Sequence, residues 1–187
     1  MNKTEILKKY QADNVKVAPE FMSWMRSNHA GETGAVWIYK GASYVFWSKK
    51  IRLMAEEHGQ TEQHHLTIME YLVPYNKRSI FIPLWRLMGF ALGFVPAIFG
   101  YKGFCLTIDA VETFVEAHYN EQIDYLIKTG SNPKLLNVIK RCCDEEIEHQ
   151  QDAHQRRNQN KTGIIARTWF KIVELGSMSA VSIAKKL

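Results

Sequence analysis

Apolar side chains return every three or four positions along most of this chain: Ile51, Met54, Ala55, Ile68, Met69 and Leu72 in one segment, Leu135, Val138, Ile139 and Cys142 in another. That spacing puts them on one face of an α-helix, not on the alternating faces of a strand. Pro19 suits the first turn of a helix running to about residue 48. A second helix is expected over about 51–73, stopped by Pro74, and a third over about 103–129, ended by Gly130. Asn132 can cap and Pro133 can open a fourth that reaches about residue 158, and an apolar last helix spans about 164–186. No Asn-Gly hairpin signal stands between alternating runs, so the class is all-α. Residues 1–18 read as a flexible N-terminal segment of a single domain over 1–187.

Residues 79–100, SIFIPLWRLMGFALGFVPAIFG, form the most apolar stretch. Arg86 interrupts it, Pro83 and Pro96 bracket it, and the uncharged run 87–101 is shorter than the ~20 residues that span a bilayer. It reads either as a buried crossover of a bundle or as an interfacial helix, and Lys77, Arg78, Lys102 and Trp85 favour the interface. The net charge of +5 is spread over short clusters, Lys49-Lys50-Arg52, Lys77-Arg78, Arg156-Arg157-Lys161 and Lys185-Lys186, without a nucleic-acid-binding motif. An anionic membrane surface is the better partner for it. Cys105, Cys142 and Cys143 lack C-x-x-C spacing and suggest reduced thiols in a cytosolic setting, and the N-terminus carries no apolar signal region.

The chemistry is carried by two Glu-x-x-His motifs, Glu62 to His65 and Glu146 to His149. Residues three apart are neighbours on a helix, so each pair can chelate one ion or flank two. The other two long helices each bring one carboxylate in small or apolar surroundings, Glu32 and Glu112. Glu32 precedes Glu62 by 30 residues and Glu112 precedes Glu146 by 34, as if one helix pair occurred twice. One Glu from each of two helices with Glu-x-x-His from two others is the ligand set of ferritin-like di-iron and di-manganese bundles. Four converging carboxylates would repel one another, whereas two divalent cations cancel their charge, and oxygen-rich ligation without thiolate suits iron or manganese. Glu145 and Glu148 read as a solvated acidic face, Glu116 as a weaker alternative to Glu112, and His58, His64 and His154 as surface histidines. His29 and His118 are candidates to support the ligands from behind. Gly31 and Gly34, each costing a helix about 1 kcal/mol, suggest a close approach of backbone or ligand beside Glu32.

His29-Ala30-Gly31-Glu32-x-Gly34-Ala35, Ile38-Tyr39-x-Gly41, Glu62-x-x-His65-Leu66, Glu112, His118-Tyr119-Asn120-x-Gln122-Ile123 and Asp144-Glu145-Glu146-x-Glu148-His149 together resemble the demethoxyubiquinone hydroxylase family. So do Pro83-Leu84-Trp85 and Gly89-Phe90-Ala91-Leu92-Gly93 in the apolar stretch. The resemblance implies a ferritin-like four-helix bundle with an apolar crossover or interfacial helix and an extra C-terminal helix. It implies a monooxygenase that uses two iron ions and dioxygen to hydroxylate a polyprenylated methoxy-benzoquinol, reduced by NADH or by the quinol itself. Glu32, Glu62 and His65 would hold one iron and Glu112, Glu146 and His149 the other, with Glu62 and Glu146 able to bridge. Tyr119 joins His29 and His118 as a supporting group, and Trp85, Phe90, Leu92 and Phe94 would meet the membrane or the isoprenoid tail. The implied location is peripheral, on the cytoplasmic face of a membrane such as a bacterial inner membrane, with other ubiquinone-biosynthesis proteins as partners. Family members carry Arg and Tyr in the last helix where this chain has Met178 and Ser182, and polar residues where it has Trp37. A ferritin-like peroxidase or ferroxidase, or a membrane-bound assembly partner with structural metal, would be compatible with the same six ligands.

Overall fold

A computed structural model describes residues 1–157 and 163–187. Its helices, in chain order, are α1 (Lys3–Lys9), α2 (Met22–Ser43), α3 (Lys49–Leu72), α4 (Ile82–Ile98), α5 (Tyr101–Thr129), α6 (Pro133–Arg157) and α7 (Ile164–Lys186). The expected end of the fourth long helix at residue 158, and Lys161, lie outside the described residues.

The punctuation acts as its chemistry dictates. Gly130 takes the left-handed conformation, φ +59°, that closes α5, and the Asn132 Oδ1 accepts the Leu135 N–H to open α6. Pro19 starts a single 3-10 turn, Pro19–Phe21, that leads into α2. Helix α2 stops at Ser43, earlier than expected, because the backbone then tightens into turns that bury Val45. Pro96 does not bound the apolar helix but lies inside α4, buried near its end.

Helices α2, α3, α5 and α6 form the bundle, with the α2/α3 and α5/α6 hairpins packed together. The crossover α4 lies along α2, and α7 covers the seam between α2 and α5. Two apolar clusters fill the bundle: Met25, Ile68, Met69, Leu126 and Ile139 toward one end, Ile38, Ile51, Met54, Phe104 and Ile108 toward the other. On each of the four helices the acidic residue falls between these clusters, so the carboxylates make a polar layer across mid-bundle.

The expectation of a flexible segment over 1–18 is corrected. Asn2 and Glu5 form a capping box on α1, and Ile6, Leu7, Tyr10, Ala12 and Val15 are buried in the first cluster. Five apolar side chains scattered among lysines escape a charge-weighted reading, yet they suffice to dock the segment.

Candidate metal centre

The structure brings Glu32, Glu62, His65, Glu112, Glu146 and His149 together, all buried. Glu32, Glu62, His65 and Glu146 make one group of donor atoms within 4.8 Å of one another, and Glu62, Glu112, Glu146 and His149 make a second. Glu62 and Glu146 belong to both. His65 Nδ1 stands 2.9 Å from Glu146 Oε1 and 3.7 Å from Glu32 Oε2. His149 Nδ1 stands 2.9 Å from Glu62 Oε1 and 3.5 Å from Glu146 Oε2, but meets neither with hydrogen-bond geometry.

Without a cation such a cluster cannot keep all four carboxylates ionised. Burial first, and then the neighbouring carboxylates, push Glu32, Glu62 and Glu112 above the usual carboxylate range. Burial acts the same way on Glu146, but His149 and His65 outweigh it and hold that carboxyl low. Burial works against charge on His149 too, yet Glu146 and Glu62 carry it up to about 10. Both oxygens of Glu62, one of Glu112, one of Glu146 and the His149 Nδ1 are buried without a hydrogen-bond partner. Orphaned lone pairs aimed into one shared space fit two divalent cations, each with carboxylate oxygens and one imidazole.

Other groups fall differently from the sequence reading. Glu145 is not on a solvated face: its Oε2 accepts His65 Nε2 at 2.7 Å, and burial, which would raise its pKa, is overcome by His65 and Tyr10 to leave it at about 2. Glu148 is exposed and Glu116 half-buried. His58 is no surface histidine; its ring stacks on His149 at 4.2 Å, its Nε2 pairs with Asp152 and its Nδ1 faces the Tyr39 hydroxyl. His154 keeps an exposed side chain that bonds buried Asp109, and His64 is half-buried. Tyr119 donates to Glu32 Oε1. His118 bonds Asn28 Oδ1 and faces Ser27, touching no candidate ligand, and burial lowers its pKa to about 4. His29 is buried with both ring nitrogens unpartnered and makes no bond to a ligand. Tyr39 and Glu145 stand in motifs that carry the family resemblance, which implies no role for them, and Tyr10 stands in none; packing brings all three to the site.

A cavity of about 300 Å³ runs from Glu32, Glu62, Glu112 and Glu146 outward between α2, α5, α4 and α7. Gly31, Gly34, Trp85, Leu92, Ile172 and Gly176 are among its walls. Trp85 is buried with Nε1 on Ser79 Oγ, whereas Phe90 and Phe94 stack on each other, half-buried, outside the cavity. The exposed stripe of α4 is instead Leu84, Leu87, Met88, Ala91, Val95 and Ile98. No helix among the described residues is long and apolar enough to cross a membrane.

Residues 19–184 match the family model described as ubiquinone biosynthesis protein COQ7. The chain is 30% identical over 167 residues to the NADPH-dependent 3-demethoxyubiquinone 3-hydroxylase, mitochondrial, of Dictyostelium discoideum, covering 87% of this chain and 76% of that one. It is 29% identical over 167 residues to the protein of that name from Caenorhabditis elegans, covering 87% and 88%. It is 32% identical over 130 residues to the 3-demethoxyubiquinol 3-hydroxylase of Rhodospirillum rubrum, covering 68% and 60%.

Proposed function

We propose that this chain, which belongs to the ubiquinone biosynthesis protein COQ7 family, is an oxygen-dependent hydroxylase of demethoxyubiquinol with two irons at the buried carboxylates. The observation that carries the reading is the apolar cavity joining the carboxylate layer to the surface between α4 and α7. In the overall reaction a ring C–H becomes C–OH, the second atom of dioxygen leaves as water, and the two electrons and two protons come from a quinol, or from NADH together with one proton from solvent.

Glu32, Glu62 and His65 would hold one iron and Glu112, Glu146 and His149 the other, with Glu62 and Glu146 shared. Bound there, the pair supplies the redox chemistry that activates dioxygen. The chain does the rest. Tyr119 fixes the orientation of Glu32 by donating to it. Trp85, Leu92, Val111 and Ile172 line a wall that excludes water and accepts a hydrocarbon-substituted ring. His118 stays neutral, its Nε2–H donating to Asn28 Oδ1, and its ring lines the cavity as a polar group among apolar ones, able to orient a quinol.

The substrate's tail is insoluble, and the exposed stripe of α4, with Ile172 and Leu175 of α7, flanks the cavity mouth as an apolar landing surface. Lys77, Arg86 and Lys102 sit at its margins, which suits a peripheral site on an anionic membrane. A ferroxidase or peroxidase built on the same ligands has no use for an apolar cavity opening on an apolar surface. The test is incubation of the iron-loaded protein with NADH, labelled dioxygen and a polyprenylated demethoxyquinone. The expected product gains one labelled oxygen; an iron-loaded, reduced protein that leaves the ring unlabelled would sink the reading.

A further inference from the structure

The family match begins at residue 19, yet the segment before it reaches the metal centre. Tyr10 is almost fully buried, and its hydroxyl donates to Glu145 Oε2 at 2.5 Å, the same oxygen that accepts His65 Nε2 at 2.7 Å. An ionised carboxylate only accepts, so Nε2 of His65 must carry the proton and Nδ1 is the nitrogen left for a metal. Nδ1 is also the nitrogen that faces Glu146 and Glu32. The segment is itself tied down on both helices that carry Glu-x-x-His. The Tyr71 hydroxyl of α3 donates to the Asp13 carbonyl, and the Arg141 guanidinium of α6 donates to the Lys9 carbonyl and lies over the Tyr10 ring. Lys9 Nζ adds a contact to Glu145 Oε1 at 3.6 Å.

We infer that residues 1–18 are a strap across α3 and α6 whose Tyr10 is a positioning residue, holding Glu145 so that His65 presents Nδ1 to the metal. The inference rests on the metal reading given above. Metal binding and strap docking then support each other, because a ligand that prefers the docked state must also stabilise it.

The experiment uses the full chain, made metal-free and titrated anaerobically with ferrous ion, and needs no hydroxylation assay. Tyr10→Phe keeps the ring in place and removes the hydroxyl. It is expected to weaken one of the two metal positions by about tenfold, the lower end for a group supporting a ligand, and to leave the other unchanged. Tyr71→Phe, which loosens the same segment without touching Glu145, should weaken it clearly less, only as far as it undocks the strap. In a Glu145→Gln background the Tyr10→Phe effect should vanish, because the carboxylate it acts through is gone. Hydrogen exchange of amides 3–10 should slow on metal addition in the wild-type chain and not in Tyr10→Phe. A wild-type chain that takes up no metal would overturn the metal reading. Wild-type uptake with unchanged affinity in Tyr10→Phe, or equal weakening by Tyr71→Phe, would overturn the strap.

Discussion

Glu62 and Glu146 each offer oxygens to both donor groups, so losing either carboxylate damages both metal positions at once. Glu32 and Glu112 each serve one. After anaerobic iron loading and desalting, metal content should be about two per wild-type chain and near none for Glu62→Ala or Glu146→Ala. For Glu32→Ala or Glu112→Ala it should fall to about one. Glu148→Ala, at an exposed site, should keep both; Glu145→Ala should keep both at saturating iron but bind one about tenfold more weakly. Equal retention in Glu62→Ala and Glu148→Ala would remove Glu62 from the ligand set. That the six candidate ligands come together is legible in the sequence because Glu-x-x-His occurs twice and each copy follows a lone carboxylate at a similar distance. Glu145 is not legible in the same way. Beside three other acidic residues it looks solvated, and its burial depends on Tyr10, which lies 135 residues away in a segment that looks like a tail.

Helices α2 and α4 meet backbone to backbone, and their glycines divide the labour. A Cβ on Gly93 would stand 1.8 Å from the Ile38 carbonyl oxygen and one on Gly89 2.3 Å from that of Gly34, so neither position of α4 admits a side chain. On α2, a Cβ at Gly31 or Gly34 meets nothing within 4 Å and projects beside the cavity. The pair flanking Glu32 therefore does not itself make the close approach, which is made by Gly89 and Gly93 of α4 and, further along α2, by Gly41, whose Cβ would stand 2.3 Å from the Phe90 carbonyl oxygen. Gly93→Ala is expected to cost about 1–3 kcal/mol in denaturant unfolding, because two packed backbones must part. Gly34→Ala should gain up to about 1 kcal/mol from helix propensity while raising the KM for the quinol. A stabilised Gly34→Ala with unchanged KM would show that this space is not used by substrate. The outer face of α4 supports a separate expectation. Leu87→Glu or Val95→Glu should release the protein from anionic vesicles with its helical content intact, whereas Phe90→Ser, which removes a ring packed against Trp37, Tyr44 and Phe94, should lower stability as well. Vesicle binding unaffected by both acidic substitutions would take α4 out of the membrane contact. The apolar character of this helix is plain in the sequence; which face it shows to solvent depends on how α2 receives it.

At the scale of the whole molecule, the open question for catalysis is how electrons reach a centre closed in by four helices, a crossover and a strap. The named relatives include hydroxylases described as NADPH-dependent, and a direct nicotinamide site needs a cationic clamp for the pyrophosphate and a flat surface for the ring. In α7 the two departures from the family pattern offer neither. Met178 and Ser182 are exposed, and the Ser182 hydroxyl is turned back onto the Met178 carbonyl. Arg26, the nearest guanidinium on α2, donates to the Lys77 and Lys185 carbonyls, tying the end of α7 to the turn before α4. Tyr119 is engaged with Glu32. The cavity, by contrast, connects the carboxylate layer to exposed apolar side chains such as Met88 and Ile172, the surface proposed above for the quinol tail. A reduced quinol is therefore expected to support turnover better than NADH alone. The check is anaerobic reduction of the iron-loaded, oxidised protein followed by its absorption spectrum, with NADH in the presence and absence of a catalytic amount of quinone. Reduction should be slow with NADH alone and accelerate when quinone is added, since the quinone shuttles electrons through the channel that admits the substrate. Equally fast reduction without quinone would mean that this chain binds the nicotinamide through groups other than those that α7 lacks, and the quinol route would fall.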